Sequence, residues 1–163
     1  MPDANSAPMR APLTAHIVVG DAAAAIDFYR KAFGAEELFR ILWPDTDAIV
    51  HAELMVNGAK IMMAQESEAW GCAGPQTLGG SPVTLHLFLD EPAAVDALAK
   101  QAEDAGCTVQ MAPHDAFWGD RYAQLSDPFG HVWAMSAFQR EVSMEEMESA
   151  MRAMASQSME TAS

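Results

Sequence analysis

Two short strings, Thr14-Ala15-His16 and Thr84-Leu85-His86, each set a hydroxyl and an imidazole two positions apart. A third, His51-Ala52-Glu53, sets an imidazole two positions from a carboxylate. In an extended chain residues i and i+2 point to the same side, so each string presents its polar pair on one strand face. Two His and one carboxylate form a recognised catalytic metal set, which makes His16, His86 and Glu53 a candidate site for a divalent metal. The alternative, which we prefer, is that these groups line a pocket as hydrogen-bonding side chains. Glu53 on a partly apolar wall is also a candidate general base with a raised pKa. Equally open is a carboxylate paired with Arg121 or with one of the histidines. Arg121, beside Asp120, could grip an anionic group in bidentate fashion, although a loop salt bridge is the simpler reading. Trp118 and Phe88 could stack on a flat ligand or pack within a core or interface. Cys72 has no adjacent base, and His131 follows a tight turn and reads as structural. No glycine-rich phosphate loop follows a strand, so neither a nucleotide nor S-adenosylmethionine is expected.

These residues need strands to hold them, and the chain supplies a repeated pattern. Thr14–Val19 reads as a strand, and Asp21 as the N-cap of a helix over Ala22–Phe33 that Gly34 ends. Strands follow near Glu37–Leu42, Ile49–Val56 and Lys60–Gln65, the last two joined at Asn57-Gly58, a strong hairpin signal. Residues 66–81 show no period and read as a connecting loop. The pattern then returns: a strand over Pro82–Leu89, a helix from Pro92 capped by Glu91 and stopped by Gly106, and a strand near Thr108–Ala112. A loop over His114–Asp120 leads to a last hairpin, Arg121–Leu125 with Val132–Ala137. Its turn, Asp127-Pro128-Phe129-Gly130, has type I chemistry. Thr14-x-His16 and Asp21 recur as Thr84-x-His86 and Glu91 at one common offset. The chain is thus a tail over 1–12, module one over 13–65, module two over 82–138, and a C-terminal segment over 139–163. In that segment Ser143-Met144-Glu145-Glu146 is a capping box opening a helix to about Ala155, with Met144, Met147, Met151 and Met154 on one face. The ends before Leu13 and after Ser156 read as disordered.

Alternation sorts the strand residues. Ala15, Ile17, Val19, Val50, Ala52, Leu54, Val56, Ile61, Met63, Leu85, Leu87, Leu89, Ala123, Leu125, Trp133 and Met135 form aliphatic or aromatic rows that belong against the helices. The opposite face carries Thr14, His16, His51, Glu53, Met62, Thr84, His86, Phe88, Tyr122 and Gln124. A mixed polar and aromatic face of this kind suits the wall of a small-molecule site.

Charge narrows the partners. The chain has 23 acidic and 9 basic residues, a formal net charge of −14, a field that repels phosphate backbones and anionic lipid, so nucleic acid and membrane surfaces are not expected. The N-terminal residues lack the apolar core of a signal peptide, and no apolar run is long enough for a bilayer. Two cysteines make neither a disulfide framework nor a zinc-ligand spacing, and a reducing cytoplasm is the simplest setting.

The strings VVGDAAAAIDFYRKAFGAEE, HAELMVNG, GGSPVTLHLFL and GDRYAQLSDPFGHVWAM draw on most of Leu13–Phe138. Together they resemble the glyoxalase/bleomycin-resistance (vicinal oxygen chelate) superfamily, and within it the PhnB-like branch. The resemblance implies an α+β fold: two βαβββ modules forming an eight-stranded curved mixed sheet, a cup, with the helices on its outer face. The fold hosts isomerases, dioxygenases, thiol transferases and drug-sequestering proteins, so it does not by itself specify an activity. Metal-dependent members carry ligands at positions that fall here on Thr14, Met62, Thr84 and Ala134. Two hydroxyls, a thioether and a methyl do not make a site for a hard divalent cation. The expectation is therefore a metal-free, cofactor-free homodimer whose cup binds a small organic ligand, with Trp118 and Arg121 near the mouth. The alternatives are a metal-dependent lyase, isomerase or dioxygenase using His16, Glu53 and His86, and a dimeric interaction module without a ligand.

Overall fold

The computed structural model describes residues 13–160, with side chains through Ser156. The tail over 1–12 and the last three residues lie outside the described residues. The chain divides into two compact units, Met1–Gly79 and Gly80–Ser163, each holding a four-stranded mixed sheet.

In the first unit β1 (His16–Val19) leads into α1 (Ala22–Phe33), then β2 (Glu36–Leu42), β3 (Ile49–Val56) and β4 (Ala59–Gln65). The sheet order is β1-β4-β3-β2, with β1 parallel to β4 and the other pairs antiparallel. Local chemistry sets the boundaries. Asp21 Oδ1 accepts the Ala24 N–H at 2.9 Å, and Gly34 closes α1 at φ 64°. Asn57 and Gly58 both take positive φ, as a two-residue hairpin turn requires. Ala22, Ala25, Ile26, Tyr29 and Phe33 of α1 are buried, as are Ile17, Val19, Ala52, Leu54, Val56, Ile61 and Met63 on the strands; Ala15 and Val50, read into the same rows, lie at the strand ends and are only half-buried. Thr14 precedes β1 instead of starting it. Residues 66–81 carry more order than a plain connector: Ser67 bridges to Cys72, a 3-10 turn spans Glu68–Trp70, and a four-residue helix, α2, spans Pro75–Leu78.

The second unit repeats the plan with β5 (Thr84–Phe88), α3 (Pro92–Ala105), β6 (Thr108–Asp115), β7 (Asp120–Ser126) and β8 (Val132–Phe138), in the order β5-β8-β7-β6. Val95, Ala99 and Ala102 of α3 are buried along with Leu87, Ala123, Leu125, Trp133 and Met135. Glu91 occupies the N-cap position without a side-chain cap bond; its chain is one methylene longer than that of Asp21, and short acceptors do this work best. β6 extends to Asp115, so most of the expected loop over His114–Asp120 is strand or tight turn. The β7–β8 turn closes as expected, with Gly130 N–H donating to Asp127 O. α4 (Met144–Glu160) opens on the reciprocal capping box: Ser143 N–H donates to Glu146 Oε2 at 2.8 Å, and Glu146 N–H to Ser143 Oγ at 3.2 Å. It runs about a turn past the expected end.

Candidate functional site

Strand register in the first unit lines up a cross-strand row on the face away from α1. His16 pairs with Met62, Met62 with Glu53, and Glu53 with Phe39. His51 belongs to the same face, its ring centroid 5.6 Å from that of His16 and 5.8 Å from that of Phe39. His16 is exposed, and His51, Glu53 and Met62 are half-buried. Partial burial against the sheet, and then the His51 imidazole, hold the His16 pKa below its usual value. The Glu53 carboxylate accepts from Lys60 Nζ at 2.8 Å and lies 3.8 Å from His51 Nε2. The Lys60 hydrogen bond is the main reason its pKa is lowered, outweighing the opposing effect of burial. This corrects the expectation of a raised pKa at Glu53, and its cationic partner is Lys60 in place of Arg121.

The second unit's open face carries an aromatic cluster. Phe88, Ser136, Tyr122 and His114 form one cross-strand row, and His86, Ala134, Gln124 and Met111 the next. The His86 and Phe88 rings stack at 4.5 Å and 22°. Tyr122 meets His86 at 6.0 Å, His114 at 5.8 Å and Trp118 at 5.3 Å. Phe88 is 74% exposed and Trp118 38%. Polar groups anchor this surface: His86 Nε2 is 3.0 Å from Oγ of the buried Ser136, Tyr122 OH donates to Gln124 Oε1 at 2.8 Å, and Gln124 Nε2 donates to Gln110 Oε1 at 2.7 Å. Burial lowers the His86 pKa, partly offset by Asp120, and raises that of Tyr122. Thr84, exposed, begins β5 at the end of this face.

Arg121 goes the other way. Alternation along β7 sends it opposite Tyr122, where its guanidinium donates to both carboxylate oxygens of Asp96 on α3, at 2.6 and 3.1 Å, and to Asp115 at 2.9 Å. With its donors engaged there it is no anion hook beside the aromatic cluster; the salt-bridge reading fits. His131 is buried behind the Asp127 turn.

The positions that the family resemblance assigns to metal ligands do not fit a metal. Met62 offers a thioether and Ala134 no donor, and Ala134 is fully buried within β8. Among the described residues no group of three or more His, Cys, Asp or Glu side chains is arranged to hold a metal ion.

The first unit also holds a cavity of about 270 Å³ that the strand pattern did not reveal. Trp43, Ala48, Ile49, Val50, Gln65, Glu66, Ser67, Ala69 and Trp70 line it. Trp43 and Trp70 meet at 5.5 Å, inclined at 64°, and are 49% and 57% exposed. The available signal was a tryptophan in each of two acid-rich connecting segments, WPDTD and ESEAW.

Residues 12–135 match the family model described as Glyoxalase/Bleomycin resistance protein/Dioxygenase superfamily. An uncharacterized protein of Mycobacterium tuberculosis is 46% identical over 143 residues, covering 85% of this chain and 81% of that protein. Among solved structures, the PhnB protein from Bacillus cereus is similar at a TM-score of 0.59 and 16% identity, covering 78% of this chain and 99% of that one. The fosfomycin resistance protein FosX from Listeria monocytogenes, solved with Mn(II) and sulfate, is similar at a TM-score of 0.60 and 14% identity, covering 85% of this chain and 95% of that one. At these identities the two structures speak to the fold.

Proposed function

The chain belongs to the Glyoxalase/Bleomycin resistance protein/Dioxygenase superfamily, and on that premise we propose that it is a binding protein for a small, flat organic molecule, held on the open sheet faces without a metal at the customary ligand positions. The observation that carries this reading is the platform of His86, Phe88, Tyr122 and Trp118. A ring 74% exposed at Phe88, stacked on an imidazole, offers an apolar plane to a flat ligand, with the half-buried Gln124 nearby and the buried Ser136 holding the His86 ring in place. Stacking on such rings is favourable because it removes apolar area from water and aligns ring quadrupoles. Taken by itself, the first unit's open face carries the Glu53 carboxylate, held by Lys60, and the His16 imidazole, whose pKa is lowered by burial. Neither histidine row supplies an unengaged carboxylate, which favours binding over acid–base chemistry.

The test is a thermal-shift screen of planar heteroaromatic compounds against the wild type, Phe88→Ala and Trp118→Ala. A stabiliser of the wild type that loses its effect in both variants supports the reading. A stabiliser indifferent to both, or none at all, defeats it.

The reading includes a homodimer. β2 exposes Leu38, Phe39, Ile41 and Leu42, and α4 exposes Met144, Met151 and Met154, more apolar surface than a lone chain ordinarily leaves in water. Removing residues 141–163 is expected to shift the sedimenting species from dimer to monomer; an unchanged mass takes α4 out of the interface.

A further inference from the structure

We propose that the cavity between Trp43 and Trp70 is a second binding site, specific for a compact organic cation carrying an ammonium head. It shares no lining residue with the open-face positions discussed above, and it goes beyond the reading of those faces.

Three observations converge on this ligand class. The first is shape. The two indoles, inclined at 64° with centroids 5.5 Å apart, form the two walls of a corner, and both keep about half their surface exposed. A cation within about 6 Å of an indole face is drawn to its negative quadrupole, more strongly for Trp than for Tyr or Phe. A volume of about 270 Å³ lies near the small end of ligand pockets and suits a single ring or a branched ammonium.

The second is charge. Glu66 lines the cavity, and its Oε2 accepts from the Gly74 N–H at 3.0 Å and Thr77 Oγ1 at 2.7 Å. Both donors are neutral, so they fix the carboxylate without cancelling its charge, and they hold its pKa below the usual value. The segments that build the cavity add Asp45, Asp47 and Glu68, and neither 41–59 nor 61–80 contains a lysine or arginine. An anionic ligand is repelled here and a cationic one attracted.

The third separates an organic cation from a metal ion. Glu66 is the only carboxylate among the lining residues, whereas a hard divalent ion asks for six or more oxygen ligands or an octahedral shell. One carboxylate beside two aromatic faces instead matches an ammonium whose charge is spread over methyl or methylene groups.

The test titrates the full chain with benzyltrimethylammonium chloride, followed by isothermal calorimetry and tryptophan fluorescence, with benzyl alcohol and benzoate as neutral and anionic comparators. Saturable binding of one cation per chain, weakened by added salt, with neither comparator binding comparably, is the expected result. Trp70→Ala and Trp43→Ala should each weaken binding about tenfold. Glu66→Gln, which keeps the acceptor oxygen for Gly74 and Thr77, should weaken it several-fold and reduce the salt dependence. Phe88→Ala and Trp118→Ala should leave it unchanged. Circular dichroism checks that each variant is folded, and should a tryptophan variant unfold, Glu66→Gln alone decides. No saturation, equal binding of benzyl alcohol, or loss of binding in Phe88→Ala but not in folded Trp70→Ala would overturn the proposal.

Discussion

Lys60 Nζ donates to Glu53 Oε2 at 2.8 Å across the β3–β4 hairpin, and the two side chains are only 10% and 14% exposed. The pair turns a residue with the makings of a general base into a held carboxylate. Because the folded pKa of Glu53 is lowered, its contribution to stability is complete above the unfolded value near 4.3 and disappears as pH falls through the folded one. Lys60→Met should therefore cost roughly 1 kcal/mol at neutral pH, and the deficit should shrink below about pH 4. Urea midpoints of both proteins at pH 7 and pH 3.5 provide the check; a deficit that does not change with pH would show that Lys60 acts through packing alone.

Gly119 holds the segment after β8 against the β6–β7 turn. Its carbonyl accepts from Gln139 N–H and Arg140 N–H, both at 3.0 Å. A Cβ there would stand 2.2 Å from Arg140 O and 2.8 Å from Val142 Cγ2, at a φ of +103°. The nearest obstacle is backbone, so Gly119→Ala should destabilise by about 2–3 kcal/mol. Gly71→Ala, at φ +65° with nothing within 4 Å, bears only the conformational strain and should cost about 1 kcal/mol. Chemical denaturation of the two variants side by side separates close approach from backbone strain.

What could be read from the sequence was whatever local chemistry decides. Asp21, Gly34, Asn57-Gly58 and the Asp127 turn each determine their backbone within four residues, and all four stand as expected. Alternation placed His16, His51, Glu53 and Met62 on one face because strand parity is a local property. Reach and tertiary neighbours lay beyond it. Lys60 shares the open face, but that its long stem ends on Glu53 depends on hairpin register. For Arg121 the favoured salt bridge stands, but its bidentate partner Asp96 lies on α3, 25 positions earlier, and no local signal names it. The Trp43–Trp70 corner requires two segments 27 positions apart in sequence to meet at one end of a sheet, which no short window records. Glu91 shows that the right charge at an N-cap is not enough when the side chain is too long.

Asp127 should be the costliest single polar residue to remove in the second unit. Its Oδ1 accepts from Phe129 N–H and His131 N–H, and its Oδ2 from Trp133 Nε1, each at 2.9 Å, while both Asp127 and Trp133 are buried. Asp127→Ala leaves three donors without this acceptor, at a cost of about 3–5 kcal/mol. The same change should make Cys107 easier to ionise. Burial first, then the Asp127 charge, pushes its thiol up to about 12, so native wild-type protein should show Cys107 inert to iodoacetamide at pH 8. Mass mapping of the alkylated cysteines reads both effects; ready labelling of Cys107 in the native wild type would contradict its placement.

His16 and His86 make a pH prediction that also bears on binding. Both pKa values are lowered, mainly by burial, with His51 adding to the effect at His16 and Asp120 opposing it at His86. A group whose folded pKa lies below its unfolded value binds protons preferentially in the unfolded chain. Its stabilising contribution is thus present above the unfolded value near 6.5 and is lost as pH falls through the folded one. The wild type should lose stability between pH 7 and pH 5, and His16→Gln/His86→Gln should flatten that slope. The groups facing His16 are His51 from β3 and, in the same row, Met62 and Glu53; those facing His86 are Ser136, Phe88 and Tyr122. The carboxylates that bear on them are Glu53, which Lys60 already answers, and Asp120, whose charge opposes the effect of burial at His86. A flat neutral ligand stacked beside His86 would bury that imidazole further, lowering its pKa again, so its affinity should fall with the protonation of His86. Imidazole resonances followed by NMR from pH 8 to pH 5 would place both transitions below the usual 6.5; a His86 transition above that value would mean that Asp120 outweighs burial and would reverse the sign of the pH dependence.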